Sequence, residues 1–133
     1  MTNTKFNSVL IVGVGLIGSS LARAIKENDL AINIYGIDNN LNNLKKCEEL
    51  KLLSRGESSL DNFSEQFDMI IICSPLSTYK KIFFNLNNYI SRDTLITDVG
   101  STKMSVINNF KETVTNKHLF FIPSHPIAGL EKS

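Results

Sequence analysis

The amino-acid sequence predicts an α/β fold, a doubly wound and mainly parallel sheet with helices on both faces. Two observations predict this class. Short apolar runs alternate along the chain with longer stretches of helical period, a pattern typical of βαβ units around a buried parallel sheet. A glycine motif also joins the first apolar run to the first helical stretch, at the sharp turn that such folds require.

The apolar runs define the strands and the spaced apolar residues define the helices. Strands are predicted at residues 8–12, 32–37, 69–73, 95–99 and 119–122, with a weaker one at 52–54. Three helices are predicted from apolar stripes: Ile17, Leu21, Ala24 and Ile25; Tyr79, Ile82, Phe83, Leu86 and Ile90; and Ile107, Phe110 and Val114. A less regular helix is expected around residues 41–47, and residues 55–66 are interpreted as a loop or a short helical turn.

Length and composition bound the kind of protein. The 133 residues fit one domain, residues 1–133, and the 42% hydrophobic content, 20% charged content and net charge of +1 are those of an ordinary soluble protein without a nucleic-acid footprint. No apolar stretch reaches the ~20 residues needed to cross a bilayer, so no membrane association is expected. Cys47 and Cys73 lack the spacing of a metal or disulfide site, which favours a reducing, cytoplasmic setting.

Unusual residues follow the predicted strands, where the carboxyl ends of parallel strands meet at one edge of the sheet. Open α/β folds bind their ligands at this edge. Taken strand by strand, these residues are Gly13; Asp38; Ser74 and Pro75; Gly100 and Ser101; and Ser124 and His125. Their common position predicts a functional site there.

The first of these turns carries the motif G-x-G-x-x-G between a strand and a helix, the setting of a Rossmann dinucleotide site. Gly13 permits the tight turn, Gly15 leaves room for a pyrophosphate, and Gly18 allows close packing of helix and strand. The intervening Leu16 and Ile17 are predicted to contribute to the same cofactor site, as are Ser74, Pro75 and Gly100.

Asp38 follows Gly18 by twenty residues, the position of the acid that accepts hydrogen bonds from the adenosine ribose. NAD is the expected cofactor, because this carboxylate repels a 2′-phosphate and residues 39–42 offer no cation; Lys45 and Lys46 leave NADP as the alternative. A glycine-rich turn with a helix-capping Asp is the other interpretation, and it is disfavoured because strand, helix and acid are in register.

The segments G-V-G-L-I-G-S-S-L-A, D-V-G-S-T-K and S-H-P-I-A-G-L-E-K-S together resemble the NAD-binding domain of prephenate and arogenate dehydrogenases. The resemblance implies oxidative decarboxylation of prephenate or arogenate in tyrosine biosynthesis. It implies that His125 accepts the proton of the ring hydroxyl as hydride leaves the same carbon, a role that suits an imidazole of ordinary pKa ~6.5. Ser101 matches the serine that hydrogen-bonds near this histidine, although it also suits a simple helix cap.

The family continues into a helical second domain that forms a homodimer and supplies an arginine for the substrate carboxylates. This chain is expected to lack that domain, and therefore to bind NAD but to turn over little alone. A 3-hydroxyacid or 6-phosphogluconate-type dehydrogenase is an alternative that the H-P-I-A-G segment disfavours. A non-catalytic NAD-binding module is the alternative from another class.

Overall fold

The structure is a computed structural model that describes residues 5–99 and 103–123. Within these ranges one sheet of six strands is formed, with the strand order β3-β2-β1-β4-β5-β6. All neighbouring strands are parallel. The strands are β1 (Phe6–Val12), β2 (Ala31–Ile37), β3 (Arg55–Glu57), β4 (Met69–Ile72), β5 (Thr94–Asp98) and β6 (Leu119–Phe121).

Helices connect the strands on both faces of the sheet. In the described part of the chain they are α1 (Leu16–Glu27), α2 (Leu41–Glu49), α3 (Tyr79–Tyr89) and α4 (Lys103–Thr113), with 3₁₀ turns at Leu60–Asn62 and Leu76–Thr78. None of these helices has the length and apolar character needed to cross a bilayer. The start of α2 is fixed by a side-chain cap, because the Asn40 Oδ1 atom accepts the amides of Asn42 at 2.9 Å and Asn43 at 3.3 Å.

The core divides into two layers because successive strand residues point to opposite faces. Leu10 and Val12 of β1 belong to one cluster with residues of α3 and α4. Val9 and Ile11 belong to the other, with residues of α1 and α2. The doubly wound architecture predicted from the sequence is thus confirmed.

The predicted weak strand was placed wrongly. The third strand is Arg55–Glu57 rather than residues 52–54, and it lies within the segment interpreted as a loop. Leu52 is instead buried with the α1 and α2 core. The strand escapes the apolar pattern because it is a short strand of sequence R-G-E at the edge of the described sheet, where it pairs with β2.

The predicted stripe of α1 is also partly wrong. Ile17 is 57% exposed and Ala24 is exposed, whereas the residues buried on this helix are Gly18, Ala22 and Ile25. These three residues are spaced by four and three positions and form one helical face. Large side chains were given weight in the sequence interpretation, but the helix approaches the sheet so closely that Gly18 and Ala22 lie on its contact face beside Ile25.

Arg55 secures the segment between β3 and β4. Its guanidinium donates to Glu65 at 2.7 and 3.0 Å and to Glu57 at 2.9 Å, and it lies 4.6 Å from the centre of the Phe63 ring. The hydrogen bond from Arg55 lowers the pKa of Glu65 from 4.5 to about 2, against the smaller opposing effect of desolvation. The ion pair therefore stabilises the fold only while Glu65 is ionised.

We expect this ion pair to contribute to acid unfolding. Glu65 binds a proton less readily in the folded chain, so its contribution is complete above pH 4.5 and is lost as the pH falls toward about 2. Glu65→Gln should flatten the pH dependence of the free energy of unfolding across this range, as measured by urea denaturation. The matched variant Glu49→Gln, at an exposed position of α2, should show the same pH dependence of the free energy of unfolding as the parent chain. A Glu65→Gln profile as steep as the parent's would contradict the assignment.

Candidate functional site

A crevice opens at the carboxyl edge of the sheet between β1 and β4. From β1 the chain passes to α1 on one face, and from β4 it passes to α3 on the other. Ligands of open α/β folds bind at such a point of divergence. A cleft of about 650 Å³ lies here, and among its lining residues are Gly13, Gly15, Asp38, Ser74 and Pro75.

Two glycines of the first turn are required by the protein itself. Gly13 has a φ of +95°, which favours glycine, and its amide donates to the carbonyl oxygen of Ile37 at 2.7 Å. A β-carbon on Gly18 would overlap the carbonyl oxygen of Gly13. The second of these contacts brings α1 directly against the end of β1.

Gly15 differs, because no atom of residues 5–99 and 103–123 demands a glycine there. The nearest heavy atom to a β-carbon at this position is Nδ2 of Asn43, at 3.8 Å. Gly15 is the N-cap of α1 and has no side chain with which to cap the helix, and Leu16 is 85% exposed. The first amides of a helix have no partner within it and attract anions. The open space above Gly15 therefore fits a phosphate group of a ligand.

Asp38 is fixed against the glycine turn by three hydrogen bonds. Its Oδ2 accepts the amide of Val14 at 2.9 Å and Nδ2 of Asn43 at 3.1 Å, while its Oδ1 accepts the amide of Asn40 at 2.8 Å. The carboxylate thus links the end of β2 to the turn after β1. Sequence reasoning identified Asp38 but missed Asn40 and Asn43, whose signal was the cluster of asparagines around the start of α2.

Ser74 and Pro75 follow β4 on the opposite wall of the cleft. The Ser74 hydroxyl is buried and has no hydrogen-bond partner among the residues described. An unsatisfied buried hydroxyl costs about 1–3 kcal/mol, so a polar ligand group that reached it would be stabilising. Pro75 precedes the 3₁₀ turn, and its carbonyl oxygen accepts a hydrogen bond from the Thr78 hydroxyl at 2.6 Å.

Cys73 also lines the cleft, but it is a poor nucleophile. Burial, with a smaller contribution from the charge of Asp98, raises the pKa of this thiol to about 12. The thiol therefore remains protonated at neutral pH and lacks the thiolate that nucleophilic catalysis requires.

A second cleft of about 340 Å³ lies between α1 and α2 and shares Gly15 and Asn43 with the first. Arg23 and Lys46 line it, whereas Asp38 lines only the larger cleft. The two clefts adjoin at Gly15 and Asn43, and the cation among the lining residues of the larger cleft is Lys81 of α3.

Three predicted site residues, Gly100, Ser101 and His125, lie outside the described residues. Gly100 and Ser101 fall between the two described ranges, and His125 follows the second range. Asp98, the last residue of β5, is 3% exposed and accepts the Tyr79 hydroxyl at 3.1 Å. His118 lies just before β6, at the amino ends of the parallel strands, and pairs with Asp93 at 2.9 Å. This position is consistent with a structural role.

The strand order, the glycine turn and the acid after the second strand together define a nucleotide-binding domain of the Rossmann type. The family model described as "Prephenate dehydrogenase, nucleotide-binding domain" matches residues 21–133. The chain belongs to this family, and the resemblance predicted from its motifs is confirmed. The glycine turn precedes the matched residues and is an independent observation.

Individual proteins similar to this chain belong to the same family by name. The chain is 33% identical to a prephenate dehydrogenase of Bacillus subtilis and 30% identical to a cyclohexadienyl dehydrogenase of Zymomonas mobilis, with 98% of the chain covered in each case. It superposes with a TM-score of 0.77 on a prephenate dehydrogenase of Aquifex aeolicus solved with hydroxyphenyl propionate and NAD+, at 30% identity over 96% of the chain. The chain spans only 35%, 44% and 44% of these three proteins, respectively.

The two glycines that follow Gly13 in the motif should respond differently to one added methyl group. Gly18→Ala should lower the free energy of unfolding by about 3 kcal/mol, the upper end of the range for overpacking, because the methyl group meets the Gly13 carbonyl. Gly15→Ala should cost less than about 1 kcal/mol, the typical effect of an N-cap change. Urea denaturation of both variants measures the contrast. Equal losses would show that Gly15 is a packing residue.

Proposed function

We propose that residues 1–133 are the NAD-binding domain of a prephenate or arogenate dehydrogenase, which oxidatively decarboxylates its substrate in tyrosine biosynthesis. The observation that carries the proposal is the Asp38 carboxylate, held against the glycine turn by the Val14 amide at 2.9 Å and facing the cleft at the switch point of the sheet. An acid at this position is suited to bind ribose hydroxyls.

Different residues of this chain would bind the different parts of NAD. The amides after Gly15, including those of Leu16 and Ile17, would bind the diphosphate. Asp38 would bind the adenosine ribose, and Ser74 and Pro75 would form the facing wall. Bound NAD+ would supply the nicotinamide ring that accepts the hydride. NAD is preferred over NADP because a 2′-phosphate would meet the Asp38 charge. Arg23 and Lys46 line the adjoining smaller cleft, and Lys81 lines the larger cleft.

His125 is proposed as the general base and Ser101 as its neighbour in the reaction, with Gly100 beside the cofactor. In this assignment His125 accepts the proton of the substrate ring hydroxyl while hydride leaves the same carbon, and carbon dioxide is then lost as the ring becomes aromatic. A neutral imidazole is suited to this step near pH 7. The assignment rests on the H-P-I-A-G segment of the sequence.

The complete enzyme is proposed to be a cytoplasmic homodimer. Since the relatives are more than twice as long as the matched region, cationic groups for the substrate carboxylates are assigned to a helical second domain. The chain by itself is expected to bind NAD with little turnover.

Calorimetric titration with NAD+ tests the cofactor assignment. Asp38→Asn should weaken NAD+ binding about tenfold or more, because a charge-assisted hydrogen bond to the ribose is lost. It should also narrow the preference for NAD+ over NADP+, because the repulsive charge is gone. Asp29→Asn removes the same charge from an exposed turn at the opposite edge of the sheet and should leave both affinities unchanged. Failure of the chain to bind NAD+, or equal binding by Asp38→Asn, would refute the proposal.

The general base is tested in the chain joined to a complete second domain of the family. His125→Asn should lower kcat about a hundredfold or more, the usual contribution of a general base, and should abolish the loss of activity at low pH that its protonation causes. His118→Asn, at the opposite edge of the sheet, should retain the parent rate and pH profile. A loss of less than tenfold in His125→Asn would exclude His125 as the base.

A further inference from the structure

The Asp38 carboxylate is already largely engaged within the chain. An ionised carboxylate offers about four acceptor positions, two on each oxygen. Val14 and Asn43 donate to Oδ2, and Asn40 donates to Oδ1. Both positions on Oδ2 are therefore taken, and one position on Oδ1 is left for a ligand.

An adenosine ribose presents two neighbouring hydroxyl groups to such a site. Asp38 has one acceptor position left for them, so a second protein acceptor is needed if both hydroxyls are to bind the protein. Asn43 is the adjacent polar side chain, with Nδ2 at 3.1 Å from Asp38 Oδ2. Its carboxamide oxygen makes no hydrogen bond within the described part of the chain and is available as an acceptor.

Asn43 is held firmly in this position. It lies in the first turn of α2, where its amide donates to the carbonyl oxygen of Asn40 at 3.1 Å and to the Asn40 side chain at 3.3 Å. Nδ2 of Asn43 is also the atom nearest to a β-carbon on Gly15, at 3.8 Å. The side chain therefore lies beside both the acid and the open space at Gly15, and Asn43 lines both clefts.

We propose that Asn43 is a second ribose-binding and specificity-determining residue, which orients Asp38 through Nδ2 and accepts one adenosine ribose hydroxyl through its carboxamide oxygen. This inference rests on the proposed binding of NAD. It assigns recognition of the two ribose hydroxyls to an Asp–Asn pair rather than to the acid alone. A phosphate group on either ribose hydroxyl would disturb the contacts that Asp38 and Asn43 make with the ribose.

Calorimetry with NAD+ and its 2′-deoxyadenosine and 3′-deoxyadenosine analogues tests the proposal. Asn43→Ala should weaken NAD+ binding about tenfold, because one hydrogen bond to the ribose is lost. The loss of affinity caused by removing one of the two hydroxyls should fall from about tenfold in the parent to about threefold or less in this variant. Asn43→Leu keeps the approximate volume of the side chain and should give the same result. Asn42→Ala, the same change at the exposed neighbouring position, should match the parent. Thermal unfolding of each variant serves as the folding control.

The outcomes separate this inference from the proposed function. NAD+ binding by Asn43→Ala within twofold of the parent would overturn the role of Asn43 while leaving the cofactor assignment intact. Equal weakening of all three dinucleotides, with the hydroxyl penalties unchanged, would reduce Asn43 to a structural residue and likewise overturn the proposal. Absence of NAD+ binding by the parent chain would overturn the proposed function and the inference together.

Discussion

The arrangement of the molecule depends on the burial of β1 at the centre of the sheet. Val9, Leu10 and Ile11 are 1%, 0% and 0% exposed, and the strand pairs with β2 on one side and β4 on the other. A strand buried on both faces needs helices on both faces. The chain must therefore diverge after β1 and β4, and the crevice that results is the site of the cleft.

A single carboxylate then connects the parts of the site. The hydrogen bond from Val14 to Asp38 joins the turn after β1 to the end of β2, and the hydrogen bond from Asn43 joins both to α2. Because the protein itself satisfies these groups, the acid is oriented before a ligand arrives. Such preorganisation lowers the entropic cost of binding. The glycine turn is similarly fixed, since Gly18 packs directly against Gly13.

Long apolar runs and spaced glycines were reliable guides to this fold. The strands of the buried sheet and the glycine turn follow from patterns within a few residues of one another. The third strand did not follow, because R-G-E has no apolar signal and becomes a strand only through pairing with β2. The contact face of α1 was misjudged for a related reason: close approach to the sheet selects Gly18 and Ala22 over the larger Ile17.

The sequence by itself determined the fold class, the family and the position of the acid after the second strand, because each depends on the order and spacing of residues along the chain. Only the tertiary structure decided which groups surround that acid. Asn43 and Val14 reach Asp38 across separations of five and twenty-four residues. Ser74, which follows β4 and whose hydroxyl has no partner among the described residues, lines the same cleft. Hydrogen bonds of this kind depend on distances in space, which the packing of helices against the sheet sets.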